Sequence, residues 1–369
     1  MIGAYRLAEG SLMLLLDRLH IEVTNVCNFK CEFCPDAIMK RRRGHMDPDL
    51  LANLLDQVAA DHLARIVTFH LMGEPLLYPH IFRGMAMAVA RGIPLHLTTN
   101  GSTFALKPNQ IEQLVAVGIP KVTISLQTPD AETFQIRGAP PHLTPEAYFA
   151  GIRRYVQAHL DRDTPTQVHL KFLDTTPHPF LVPHKRLSVI DEGSTMQAQL
   201  WQWASAIFQD RPGSPSPDWL RQQIQQHRPG RWQLIHLHPR LCLETFPLDS
   251  WGNVEADQVY PAGFGYCNGA AQQAGILYDG TVVPCCKDYE GRIPLGHLRE
   301  KPLRDILADQ PACQLRQGFD RFQVNHPVCQ QCIGADSPRK TLLRQVGSVA
   351  YFKAYRPFMQ RWVKGWGEV

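Results

Sequence analysis

The chain has 369 residues, 44% of them hydrophobic and 20% charged, with a formal net charge of +4. That length suits one large domain with a smaller one appended, or two domains, and the apolar share is enough for a core. The mild charge excess gives no argument for a nucleic-acid partner, and no apolar run of about 18 residues offers a membrane span.

The early run Leu12–Leu16 stops at Asp17–Arg18, which is too short and wrongly flanked for a signal peptide. A cytoplasmic protein is expected, with its ten cysteines reduced and metal binding favoured over a disulfide framework. Residues 1–18 read as a lead-in. Leu19–Val23 alternates and is β-rich, so it reads as a first strand, followed directly by Cys27, Cys31 and Cys34. Lys40–Met46 is polar and mobile-looking, with Lys40–Arg43 expected as a solvated run. Asp47–Pro48 then opens a helix to about His62.

Units of strand and helix follow. Strands are predicted at 65–71, 93–99, 120–126 and 166–174, and helices at 80–92, 108–118 and 144–160, two of these ending on glycine. Alternation of this kind argues for a parallel sheet whose chemistry collects at the C-terminal strand ends. The 170–230 region is less regular and is expected to shape the substrate pocket. It contains a helix at 196–208, where Trp201 and Trp203 read as packing, and a linker at 210–219. Arg231–Pro239 is the sixth strand candidate, with His236 and His238 alternating on it. Near Leu241 the composition shifts, and seven of the ten cysteines lie between there and Cys332. Ile276–Cys286 reads as a hairpin turning on Asp279–Gly280. A basic, partly amphipathic helix, interrupted near Pro357, ends the chain.

Cys27, Cys31 and Cys34 are separated by three and then two residues. Three thiolates do not close a tetrahedral zinc site, whereas a cube held by three cysteines leaves one iron open. Half of a zinc site completed elsewhere is the alternative. This CxxxCxxC pattern after a first strand, with the aromatic Phe33 before the third cysteine, resembles the radical S-adenosylmethionine (SAM) superfamily.

The resemblance implies a partial (βα)6 TIM-like barrel over 19–240, within an α/β fold class. It also implies a 4Fe-4S cluster whose open iron chelates SAM. Reductive cleavage of SAM then yields a 5′-deoxyadenosyl radical that abstracts a substrate hydrogen, with an external one-electron reductant such as flavodoxin or ferredoxin. His70–Pro75, HLMGEP, is similar to the family's GGEP motif with Met72 in the first glycine place, which puts Gly73, Glu74 and Pro75 around the SAM amino group. By the same resemblance Asn100 touches SAM or substrate and Ser125 lies in the ribose-contacting segment. Gln127 stands where an Asp is often found. Arg137 is a candidate for the SAM carboxylate, with a surface arginine as the alternative reading.

Cys267, Cys285, Cys329 and Cys332 form a second set. It resembles the SPASM extension of these enzymes, shortened to a twitch-like form over 241–335 with one auxiliary 4Fe-4S cluster, before a helical tail at 336–369. A zinc ribbon is the alternative. Cys286 reads as a spare, Cys313 as a possible substitute ligand and Cys242 as a buried apolar residue. Four thiolates leave no iron open, which suits electron transfer and net oxidation. The expected function is radical oxidation or cross-linking of a peptide. Dehydrogenation of a small hydroxylated metabolite is the rival, and a non-catalytic electron carrier or zinc protein is the alternative of another class.

Overall fold

The computed structural model describes residues 4–6, 12–176, 187–253 and 256–359. Residues 177–186 of the irregular 170–230 region and the end of the C-terminal segment lie outside the described residues. The main sheet is built from β1 (Leu16–Ile21), β2 (Ala64–Phe69), β3 (Leu95–Thr99), β4 (Lys121–Gln127), β5 (Gln167–Asp174), β6 (Gln233–His238), β7 (Leu241–Pro247), β8 (Gln273–Ile276), β9 (Thr281–Val283) and β10 (Gly296–His297). Its order is β10-β9-β8-β1-β2-β3-β4-β5-β7-β6. Strands β1 to β5 and β7 run parallel, so their C-terminal ends share one rim.

Helices α1 (Pro48–Ala60), α2 (Ile81–Ala90), α3 (Asn109–Val117) and α4 (Pro145–Leu160) connect the first five strands. The starts of α1 and α4 follow local chemistry: Asp47 accepts from the amides of Asp49 and Leu50, Thr144 accepts from Ala147, and both helices have Pro in their first turn. Gly118 closes α3 in the left-handed region, φ 66°, as its position predicted.

The sheet sorts its residues by parity. Leu19, Ile21, Val67, Phe69, Leu95, Leu97, Val122, Ile124, Val168, Leu170 and Leu243 are buried in one core with the helices. The opposite, concave face carries Arg18, His20, Thr68, His96, Lys121, Thr123, His169, Lys171 and Glu244. Register puts His20 beside Thr68, Thr68 beside His96, and His96 beside Lys121. Further along, Thr123 pairs with His169, His169 with Cys242, and Lys171 with Glu244. Side chains of paired residues share a face. A closed barrel usually fills its interior with branched apolar residues; this face of the open sheet carries polar and charged ones.

Three expectations are corrected. The sixth parallel strand is Leu241–Pro247, and Gln233–His238 is an antiparallel edge strand beside it, so the sheet runs past residue 240. His236 is exposed on that edge. The hairpin turns through Tyr278–Gly280, since the Leu277 amide donates to the Thr281 carbonyl at 2.9 Å, and Gly280 has φ 101°. Its first strand, β8, runs parallel to β1, so the cysteine-rich region extends the main sheet. The expected linker at 210–219 ends in the start of a helix, Pro217–Ile224. The C-terminal helix (Pro338–Ala350) gives way to a π segment at Tyr351–Tyr355, ahead of Pro357. No helix among the described residues is long and apolar enough to cross a membrane.

Candidate functional site

The rim of β1 carries Cys27, Cys31 and Cys34 on one loop, all without disulfide partners. That loop is held from several sides. Lys30 and Glu32 donate backbone hydrogen bonds to the Arg137 and Ile136 carbonyls, both at 3.0 Å. Asp36 is buried and pairs with Lys30 at 2.6 Å and Arg43 at 2.5 Å. Arg41 grips the buried Glu22 with two bonds, 2.9 and 2.7 Å. Within the basic run, Arg41 and Arg43 therefore pair with buried carboxylates, while Lys40 and Arg42 are exposed, as expected of a solvated run. No local period marks that pairing in the sequence.

Each thiol of the loop is disfavoured as a thiolate. Burial pushes Cys27 up to about 12, with Glu74 adding to it, and burial likewise raises Cys31 and Cys34. Thiols held this way ionise against a positive centre, which is what a cluster iron supplies. The soft donor set fits an iron–sulfur cube. Among the described residues, no three His, Cys, Asp or Glu side chains gather closely enough to hold a single metal ion.

Arg137 corrects the surface reading, because it is 1% exposed. Its guanidinium lies 4.9 Å from the centre of the Phe29 ring and 5.7 Å from that of Phe33. It donates to the Ser125 carbonyl at 2.9 Å and to the Gln127 side chain at 2.8 Å. Burial alone would lower its pKa, but Cys31, Tyr148, Cys27 and Cys34 outweigh that and raise it. A permanent cation thus sits beside the three sulfurs.

Glu74 is 1% exposed. Its carboxylate accepts from the Leu76 amide at 3.0 Å, the Thr99 hydroxyl at 2.7 Å and the Asn100 amide at 2.5 Å. It braces the rim of β2 against that of β3. Pro75 follows in a short 3₁₀ turn. Gly73, at φ 78°, lies against the Thr24–Asn25 backbone. Asn100 turns its amide toward Cys27 Sγ, at 3.8 Å, and toward Asn28 at 3.1 Å. Met72, which takes a glycine's place in the motif, is buried with Leu71, Leu277, Val283 and Tyr289, and Cys34 and Cys286 pack on that cluster. The larger side chain fills the seam between the core and the C-terminal hairpin.

Of the second set, Cys267 and Cys329 pack on a separate small cluster of Tyr266, Phe319 and Val324. Cys329 and Cys332 lie on the helix Pro327–Ile333. A Cβ added to Gly269 would stand 3.6 Å from Cys267 Sγ and 3.7 Å from Cys285 Cβ. Burial pushes Cys267 up to about 11, with Cys332 adding to it, and Cys329 is raised by burial, Cys267 and Cys332. Cys313 is turned to the Ala308 carbonyl and Arg316, both at 3.1 Å. Cys242 is 3% exposed on β7.

A link between the sets was not foreseen. Trp251, Gly252 and Asn253 are successive left-handed residues, φ 47°, 75° and 60°. The Trp251 indole donates to the Phe33 carbonyl at 2.9 Å. A Cβ on Gly252 would lie 3.3 Å from Cys332 Sγ. Asn253 Nδ2 donates to the carbonyls of Gln331 at 2.9 Å and Gly334 at 2.7 Å. Three such residues in a row persist only where their surroundings determine them.

Residues 21–173 match the family model of the Radical SAM superfamily, and residues 267–333 match that of the SPASM iron–sulfur cluster-binding domain. A S-adenosyl-L-methionine-dependent 2-deoxy-scyllo-inosamine dehydrogenase of Niallia circulans is 33% identical over 115 residues, 30% of this chain and 45% of that protein. A tungsten-containing aldehyde ferredoxin oxidoreductase cofactor-modifying protein of Pyrococcus furiosus is 29% identical over 108 residues, 29% of this chain and 30% of that protein. The match thus spans less than half the length of either relative. The fold is shared with SuiB of Streptococcus suis bound to S-adenosylmethionine, at a TM-score of 0.53 and 15% identity, covering 83% of this chain and 68% of that one.

Proposed function

The chain belongs to the radical SAM superfamily and carries a SPASM-type iron–sulfur domain, and on that premise we propose that it catalyses net oxidation of a small polar substrate. What carries oxidation is the second cysteine set, whose four thiols would ligate every iron of a second cube and leave none open. When bound, the first cluster with SAM supplies hydrogen-abstracting radical chemistry, and a fully ligated second cluster supplies an acceptor for the electron leaving the substrate.

The chain's own residues hold and shield. Cys27, Cys31 and Cys34 would hold the first cluster, with Asn100 offering a donor to the Cys27 sulfur. Gly73, Glu74 and Pro75 would present backbone carbonyls to the SAM amino group, because the Glu74 carboxylate itself is engaged by Thr99 and two amides. Arg137 supplies fixed positive charge, Ser125 would lie by the ribose, and Phe29 and Phe33 keep water from the loop. Cys267, Cys285, Cys329 and Cys332 would hold the second cluster.

The polar concave face favours a small polar substrate, and the 2-deoxy-scyllo-inosamine dehydrogenase supports the same reading by its activity. The second reading, a peptide, draws on the fold shared with SuiB, which has also been seen with its precursor peptide, at a TM-score of 0.52.

Anaerobic reconstitution tests the proposal. About eight irons per chain are expected for two cubes, with 5′-deoxyadenosine formed from SAM under reductant. Zinc in place of iron, with no SAM cleavage, would sink it. Deuterium carried from a labelled polyol or from a labelled peptide into 5′-deoxyadenosine separates the two substrate readings.

A further inference from the structure

Among the described residues, twelve large apolar side chains are exposed, and nine of them lie between Tyr260 and Phe358. Six belong to one continuous helical segment: the C-terminal helix, the π segment and the short helix Arg356–Met359 that follows. Leu342, Leu343, Val346, Tyr351, Tyr355 and Phe358 are each 47–60% exposed. The radical chemistry described above uses none of them.

The π segment keeps the two ends of this stripe on one face. Twelve residues of chain separate Leu343 from Tyr355, and Val346 from Phe358. In an unbroken α-helix of 3.6 residues per turn that is about 3.3 turns, a third of a turn out of register. The π segment at Tyr351–Tyr355 takes up one extra residue, which leaves about eleven, close to three whole turns. The opposite face is bound to the body. Thr341 donates to the Tyr260 carbonyl and Ser348 accepts from the Tyr266 amide, both at 3.0 Å. Phe352 packs on Tyr266, 5.4 Å between ring centres, in the cluster that also takes Cys267 and Cys329. The charges of the segment turn that way too. Arg344 donates to the Gly334 carbonyl at 2.7 Å, Lys353 lies 3.9 Å from Asp320, and Arg356 donates to Gln272 at 2.6 Å.

Tyr260, Phe264 and Phe322, 38–39% exposed, lie alongside the helix. The Phe264 amide donates to the Gln345 side chain at 3.0 Å, and the Gly265 amide to the Phe322 carbonyl at 2.9 Å. Nine side chains of this kind, about half exposed at roughly 200 Å² each, present on the order of 900 Å². The largest apolar patch of an ordinary monomer is about 300–600 Å², and each partner of a standard stable interface buries about 800 Å².

We propose that this face is the contact between two copies of this chain, their C-terminal helices laid antiparallel about a two-fold axis near Gly347 and Ala350. A two-fold contact must be self-complementary. Antiparallel pairing sets the aliphatic end, Leu342 to Val346, against the aromatic end, Tyr351 to Phe358, of the other copy. The small residues stand at the crossing. A Cβ added to Gly347 would meet nothing within 4 Å, so a second helix can come close there. Arg339, exposed at the helix start, comes to the other copy's aromatic end, where a guanidinium is favoured. An anionic lipid surface recruits a helix whose cations are free to meet it, and here Arg344, Lys353 and Arg356 are engaged by the body.

Sedimentation of the full reconstituted chain tests the pairing. Dimer mass is expected by about 10 µM, since interfaces of this size reach micromolar affinity or better. Val346→Glu should weaken association at least about tenfold, because it buries an unpaired charge, with an unchanged denaturation midpoint at low concentration. Val89→Glu, which alters an exposed apolar residue on α2, should leave association unchanged. Leu343→Lys and Tyr355→Glu should each give monomers, and mixing the two should restore a dimer, since antiparallel pairing brings these positions together. Monomer mass throughout, equal association of Val346→Glu and the parent, loss of association in Val89→Glu, or failure of the mixture to pair overturns the proposal. Monomers that float with phosphatidylglycerol vesicles overturn it in favour of a lipid surface.

Discussion

At Gly73 the backbone has φ 78°, and a Cβ would fall 2.4 Å from the Thr24 carbonyl oxygen. Both facts exclude a side chain, because the conformation is unfavourable for L residues and the neighbour is backbone. Gly73→Ala should cost roughly 1–3 kcal/mol from conformation alone, with displacement of Thr24–Asn25 added. Since that segment leads into Cys27, iron bound at the first set should fall as well. An unchanged denaturation midpoint with full iron content would refute this. Residues of this kind were legible as motif letters, but their physical roles were not. Glu74 stood out in the sequence as a carboxylate for a ligand, yet it spends both oxygens on Leu76, Thr99 and Asn100. Arg137 could not be told from a surface arginine, because Phe29, Phe33 and Ser125, which surround it, lie far from it along the chain.

Among the elements, the β-strands announced themselves by alternation, and β1 to β5 fall close to where periodicity put them. Their direction and neighbours were another matter. Alternation put the sixth strand at Arg231–Pro239, and only pairing with β5 shows that Leu241–Pro247 takes that place. The joining of β8 to β1 connects residues 255 positions apart at Gln273 and Arg18 and leaves no local trace. The concave face also carries a stability consequence. Burial, partly offset by Glu244, brings Lys121 from 10.5 down to about 8. That is roughly 3 kcal/mol of penalty on the charged form, at 1.36 kcal/mol per unit. A lysine with a lowered folded pKa bears the full penalty below that pKa and sheds it as pH rises toward the unfolded value. Lys121→Met should therefore stabilise the fold by roughly 1–3 kcal/mol, with the gain largest below about pH 8 and shrinking toward 10.5. Urea titrations at several pH values would measure it. A loss of stability, or a gain that grows with pH, would show the ammonium to be satisfied.

On the scale of the whole molecule, the two cysteine sets were legible from spacing, and the comparisons place both in matched regions. What the spacing did not contain is that the regions share one sheet and one seam, where Met72 and Cys286 pack on the same small cluster. The sets should still be separable by function. Cys27→Ala should abolish SAM cleavage, while Cys329→Ala should retain some cleavage and stop product formation. If both variants lose cleavage equally with iron still bound at the first set, the division of labour is wrong.

The left-handed turn at Trp251–Asn253 has a bearing on how the protein is made. Its indole meets a carbonyl 218 residues earlier, and its asparagine meets carbonyls 78 and 81 residues later. Closing contacts at such separations costs loop entropy that local structure does not repay. A chain emerging from the ribosome therefore leaves the Phe33 carbonyl unmet until residue 251 has appeared, and the turn itself unsecured until the helix of Cys329 and Cys332 has followed. The cysteine loop around Cys27 therefore gains this support only after the helix of Cys329 and Cys332 has been made.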